Sequence, residues 1–184
     1  MIGLVASLLA GIVLKKWIFG LAVIPYLLRL RGRNPSLIAF YLYVLVVVLS
    51  LPSHSIYTHR GFVLAVVSST SVFLLLDEIL GGIRWDRTEL VMTAVLLVSA
   101  LHDYLLVFAL IGAAVYVTHL HFGRAVYRLV GWLSLSLGLL YLLRDRLKDP
   151  GAQTLFLLGL GLVFLLLAER NDVDFLEVGL FEEE

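Results

Sequence analysis

The chain has no cysteine, which excludes disulfides, thiolate nucleophiles and cysteine-held zinc or iron–sulfur centres. Asparagine occurs twice, glutamine once and methionine twice, a depletion of heat-labile residues that fits a thermophile. Charge is scarce as well: 15% of the residues are ionised, against about a quarter in a soluble domain. Catalytic signatures are also missing, with no GxSxG elbow, Walker loop, HExxH, CxxCH, dinucleotide fingerprint or EF-hand loop. The basic residues sit in short clusters at the ends of apolar runs, without the stripe that nucleic acid requires.

Apolar residues fill the space. They make up 61% of 184 positions, and the mean hydropathy is +1.00. Six hydrophobic segments follow one another at about 1–28, 36–52, 61–80, 88–118, 126–143 and 152–168. Each is long enough, or nearly so, to cross a hydrocarbon layer of about 30 Å as a helix. Pro35, Pro52, Gly81–Gly82, Gly123 and Pro150 punctuate the linkers. The expected fold is an all-α, polytopic membrane helix bundle of about six spans, with the lipid bilayer as its main partner. Residues 1–168 form one domain in this reading, and 169–184, with seven acids and one arginine, form an acidic tail.

Two segments are awkward. Lys15–Lys16 interrupts the first, so it reads as one span or as a short helix followed by an interfacial one from Trp17. Because Met1–Leu14 precedes the lysines, the order is the reverse of a cleavable signal and suits a retained helix with its start outside. The fourth segment is too long for one upright helix and too short for two. It is either one tilted helix or a pair broken at His102–Asp103.

Counting Lys and Arg on each face does not separate these topologies. An echo between "YLLRLRGRNP" (26–35) and "YLLRDRLKDP" (141–150) suggests that 17–52 and 132–167 repeat one helix–loop–helix unit, with Trp17 matching Trp132. Placing the Arg29–Arg33 and Arg144–Lys148 loops together on the cytoplasmic side favours a single long fourth helix, six spans and both termini outside. The spacing of Gly3, Ser7 and Gly11 forms a small-residue stripe suited to close packing within the chain, or to a homo-oligomer or membrane partner.

Against this background His102 and Asp103, in "LVSALHDYLLV", stand out. Reflected through a turn near 84–85, they fall beside Ser68, Ser69, Thr70 and Ser71, with Tyr141 of the fifth segment at similar depth. An acid inside a membrane is costly unless paired and marks function by default. The expected role is passage of protons, cations or a small solute; a buried network that fixes packing is the plainer alternative. A Ser–His–Asp triad does not follow, because adjacent residues on a helix point about 100° apart and the base cannot bridge both partners.

Four more histidines, His54, His59, His119 and His121, fall in the second-to-third and fourth-to-fifth linkers. On the outer face they could ligate a transition metal or a haem. His59–Arg60 and His121 resemble the histidine spacing in one half of the haem A synthase family, which implies a haem cofactor there. The family's glutamate three residues before the histidine is Ile56 here. Asp77–Glu78, after a hydrophobic run, is similar to phosphatidylglycerophosphatase A, whose other acidic and glycine motifs are missing. With Arg84 and Arg87 following, it reads as an ion-paired membrane edge.

Overall fold

The structure, a computed structural model, describes residues 1–52, 54–82, 86–123 and 125–167. The acidic tail 169–184 lies outside them. Among the described residues there are eight α-helices and one 3-10 turn, and no strand. The chain divides into two compact units, residues 1–117 and the chain from Thr118 onward.

In the first unit the order is α1 (Ile2–Val13), a 3-10 turn (Trp17–Ala22), α2 (Val23–Arg29), α3 (Arg33–Ser50), α4 (His59–Gly81), α5 (Arg87–Ser99) and α6 (Asp103–Phe122), which runs on into the second unit. Three stretches among the described residues are long and apolar enough to cross a membrane: α3, α4 and residues 103–121 of α6. The second, third, fifth and sixth segments expected from the sequence each became one helix. The two awkward ones broke.

The first breaks at its lysines. Lys16 N–H donates to Gly11 O (2.9 Å) and Lys15 N–H to Ile12 O (3.2 Å), with Lys15 at φ +52°. These bonds form a Schellman ending, normally closed by glycine. A lysine in the left-handed region costs about 1–2 kcal/mol, offset by satisfying the last carbonyls of α1. The chain then reverses. The Met1 amine ion-pairs with Glu78, and Arg29 Nη2 comes within 3.5 Å of the place a Gly82 side chain would take. Residues 1–29 are therefore a hairpin with both ends beside the C-terminus of α4. This corrects the expectation of a first span separating the chain's start from the Arg29–Arg33 loop.

Packing of α1 on α4 is antiparallel and very close. A Cβ at Gly3 would overlap the Leu74 carbonyl and lie 2.6 Å from Leu75 Cα, while the Ser7 hydroxyl donates to Ser71 O at 3.5 Å. α4 thus covers the Gly3 and Ser7 part of the stripe; Gly11 faces Lys16 O and Phe19 instead. Around this contact Phe19, Phe40, Val67, Leu74 and Leu75 form a core almost closed to solvent. α3 buries Phe40, Tyr43 and Val47 and turns Ile38, Leu42, Leu45 and Leu49 outward.

The second awkward segment breaks after Ser99. Leu101 N–H and His102 N–H make i→i−3 bonds to Val98 O and Ser99 O, and Leu106 N–H starts a new helix on His102 O (3.0 Å). Leu106, Val107, Leu110 and Ala113 of α6 then enter the same core. The single long fourth helix is corrected accordingly: the chain turns at the position where the apolar run carries its histidine and aspartate.

In the second unit α7 (Ala125–Leu142) and α8 (Pro150–Leu167) are joined by a loop held on the chain's one glutamine. Gln153, 2% exposed, donates through Nε2 to Leu147 O (2.8 Å), and Asp149 accepts from Ala152 N–H (3.0 Å) at the start of α8. The second arms of the suggested repeat, α3 and α8, are each a single helix. The preceding arms differ, because Trp17–Arg29 splits into a 3-10 turn and a short helix whereas Trp132 lies within continuous α7.

The α1–α4 approach makes a direct prediction. Gly3→Leu should lower stability by about 1–3 kcal/mol, the usual cost of overpacking, in denaturant unfolding of the detergent-solubilised chain. Gly20→Leu, where nothing lies within 4 Å of a Cβ, should change it far less.

Candidate functional site

The start of α4 is built by its own loop. Thr58 Oγ1 accepts from Gly61 N–H (3.1 Å) and donates to Ser55 O (2.8 Å), a side-chain cap. Any Cβ at Gly61 would overlap the Ser55 carbonyl, so glycine lets the loop fold over the helix end. His59 becomes the first residue of α4. The start of α6 stands beside it, with Asp103 in its first turn, where a carboxylate complements the helix dipole.

The two helix starts create one cluster. His59 Nε2 is 4.0 Å from Asp103 Oδ2. Tyr104 lies against both imidazoles, its ring centroid 4.8 Å from His59 and 5.8 Å from His102. With Leu101 they line an open cavity of about 310 Å³. The His59 and Asp103 side chains are 49% and 56% exposed, so their ion pair contributes at most about 1 kcal/mol, and only while His59 is protonated. Chemically the cluster can exchange protons with solvent and place hydrogen-bonding groups at a helix break.

Sequence reasoning joined the wrong partners. Ser68, Ser69, Thr70 and Ser71 donate to Leu64, Ala65, Val66 and Ser68 carbonyls of their own helix, and none reaches His102 or Asp103. The reflection assumed straight, unbroken arms, whereas α5 stops after 13 residues and the chain turns to meet His59. Tyr141 belongs to the second unit, where its hydroxyl accepts from Arg144 Nη1 (3.3 Å) beneath a guanidinium 5.0 Å from its ring centroid.

His119, also in the second unit, has Nδ1 3.0 Å from Gly123 O and its ring 6.1 Å from that of Tyr127. His121 is exposed there, and His54 is exposed in the first unit, outside the cavity lining. Among the described residues no three His, Asp or Glu side chains are grouped to hold a metal ion.

Two features escaped the sequence reading. Tyr104 was passed over, although an aspartate opening an apolar run is a helix-start signal that would have placed it one residue inside α6. The other is at the opposite end of α4. Glu78, 7% exposed, ion-pairs with the Met1 amine and accepts from Leu4 N–H at 3.2 Å; the amine also lies 3.2 Å from Glu89 Oε2. Glu78 thus supplies an acceptor for the start of α1 and is more than the surface ion pair its sequence context suggested. Nothing in the local pattern of 74–86 distinguishes it from Asp77.

No family model, no curated protein and no solved structure matches this chain.

Asp86 caps α5 at the same end. Arg87 N–H and Thr88 Oγ1 each donate to its carboxylate at 2.7 Å, the Thr88 bond foremost in holding the carboxyl below its usual range. The folded state therefore binds this proton less readily than the unfolded chain does. Its contribution to stability is complete above the unfolded carboxylate range and is lost as pH falls through the depressed value. Asp86→Asn should remove that part of the acid-limb dependence, read by thermal unfolding between about pH 2 and pH 6.

Proposed function

We propose that the chain is a polytopic membrane protein in which the His59–His102–Asp103–Tyr104 cluster forms the mouth of a passage for protons, cations or a small solute. The observation that carries this reading is the interruption between α5 and α6. A helix broken inside an apolar segment exposes backbone groups that lipid cannot bond, and such breaks belong where a polar cavity is lined. Here the interruption brings two imidazoles, a carboxylate and a phenol into one open cavity beside the start of α4. The outward apolar faces of α3 and α6, including Leu49 and Phe108, support burial in lipid.

Six hydrophobic segments then give a multi-pass protein whose crossings differ from one span apiece. Residues 1–29 enter and return at the Gly82 end, and residues 88–118 form two arms. Arg29, Arg31, Arg33 and Arg87 at that end outnumber Lys15, Lys16 and Arg60 towards the other, which favours a cytoplasmic Gly82 end.

The test is a flux panel in proteoliposomes covering protons, monovalent cations and small neutral solutes. At least one species should pass faster than through empty vesicles and should slow about tenfold or more in Asp103→Asn, with helix content unchanged by circular dichroism. If every flux equals that of empty vesicles, or none responds to Asp103→Asn, the reading fails.

A further inference from the structure

We infer that the species exchanged at this mouth is the proton, bound and released by the His59–Asp103 pair; the inference rests on the passage reading above. The cluster separates the candidates by what it offers each. A Ca²⁺ ion takes six to eight oxygen ligands, and monovalent cations likewise need several in place of their water. The lining provides one carboxylate, Asp103, and one phenol, Tyr104. A structural transition-metal site needs four donors and a catalytic one three, and no such group exists among the described residues. A small solute is held by a pocket enclosing most of its surface, whereas here the His59 and Asp103 side chains are each about half exposed, at 49% and 56%.

A proton needs none of these. It needs an imidazole open to water and a carboxylate close enough to share the charge, and Nε2 and Oδ2 are 4.0 Å apart. The N-terminal ends of α4 and α6 add positive potential at the same place, which opposes accumulation of other cations. The titratable and charged groups around His59 come from two elements. His102, Asp103 and Tyr104 lie at the start of α6, and Arg60 follows on α4, with His54 and Tyr57 in the preceding loop.

The step balances without a co-reactant. Neutral His59 takes a proton at Nε2 from hydronium, leaving water, and becomes an imidazolium. An approach of about 1 Å, to normal hydrogen-bond length, lets that proton pass to Asp103 Oδ2, leaving a neutral imidazole and a carboxylic acid. Release to water restores the carboxylate. Tyr104, its ring tilted against His59 and stacked on His102, positions the His59 ring for this exchange.

The experiment uses the full chain in phosphatidylcholine vesicles containing a pH-sensitive dye, with the membrane potential clamped. Proton flux should exceed that of empty vesicles and stay the same when Na⁺ is replaced by K⁺ or choline. It should fall about tenfold or more in Asp103→Asn and in His59→Gln, recover in part in Asp103→Glu, and survive in Tyr41→Phe on the outward face of α3. A flux of cation or solute that depends on Asp103 while protons do not pass overturns the proton assignment and leaves the passage reading standing. A proton flux that tracks the identity of the salt cation, or is insensitive to both His59→Gln and Asp103→Asn, also overturns it. No flux of any species overturns both.

Discussion

The close contact of α1 with α4 at Gly3 sets the register of the first unit. Because glycine leaves no Cβ there, the helices approach to backbone contact at Leu74 and Leu75. Ser7 then falls opposite Ser71, Leu4 N–H falls on Glu78, and the amine of Met1 reaches both Glu78 and Glu89. Glu89 fixes the start of α5, so α5 runs beside α1 and arrives with its C-terminus near the beginning of α4. The hairpin of residues 1–29 also returns Arg29 to Gly82, keeping the basic turn before α3 at the same end. In the proposed membrane setting, where helices gain little from hydrophobic association, close packing between small residues is the force available to hold such an arrangement.

Several polar groups among the described residues act at helix ends. Thr58, Asp86 and Asp149 supply side-chain caps, Glu78 accepts from the first turn of α1, and Gln153 holds the loop before α8. Asp103 belongs to the same set, since it opens α6 with a charge of the favourable sign. An aspartate in the middle of an apolar run is therefore first a structural necessity of starting a helix there. What sets it apart from Asp86 and Asp149 is its company: two imidazoles and a phenol around one cavity.

Much of the helical outline was legible in the sequence. Segments 36–52 and 61–80 became α3 and α4, and Pro, Thr and Gly mark their bounds. The two segments that resisted a simple reading, through Lys15–Lys16 and His102–Asp103, are the two that break. What the pattern could not supply was the direction of the chain after each break. Lys15 in a left-handed conformation is a poor ending by propensity, and only the tertiary contact of Met1 with Glu78 and of Gly3 with α4 reveals the return. The depth match with Ser68–Ser71 failed for the same reason, since a reflection across a turn holds only while both arms stay straight. Of the candidate site, His102, Asp103 and His59 were each named, but His59 was assigned to a histidine centre and not to the aspartate it faces.

The absence of cysteine makes the decisive geometry accessible by spin labelling. Labels introduced in place of His59 and Asp103 should broaden each other's electron paramagnetic resonance spectra strongly, because the account joins the starts of α4 and α6. Labels in place of Ser71 and Asp103 should interact much more weakly. Strong coupling between 71 and 103 together with weak coupling between 59 and 103 would contradict it, restoring an unbroken fourth helix with its histidine and aspartate at the depth of the hydroxyls.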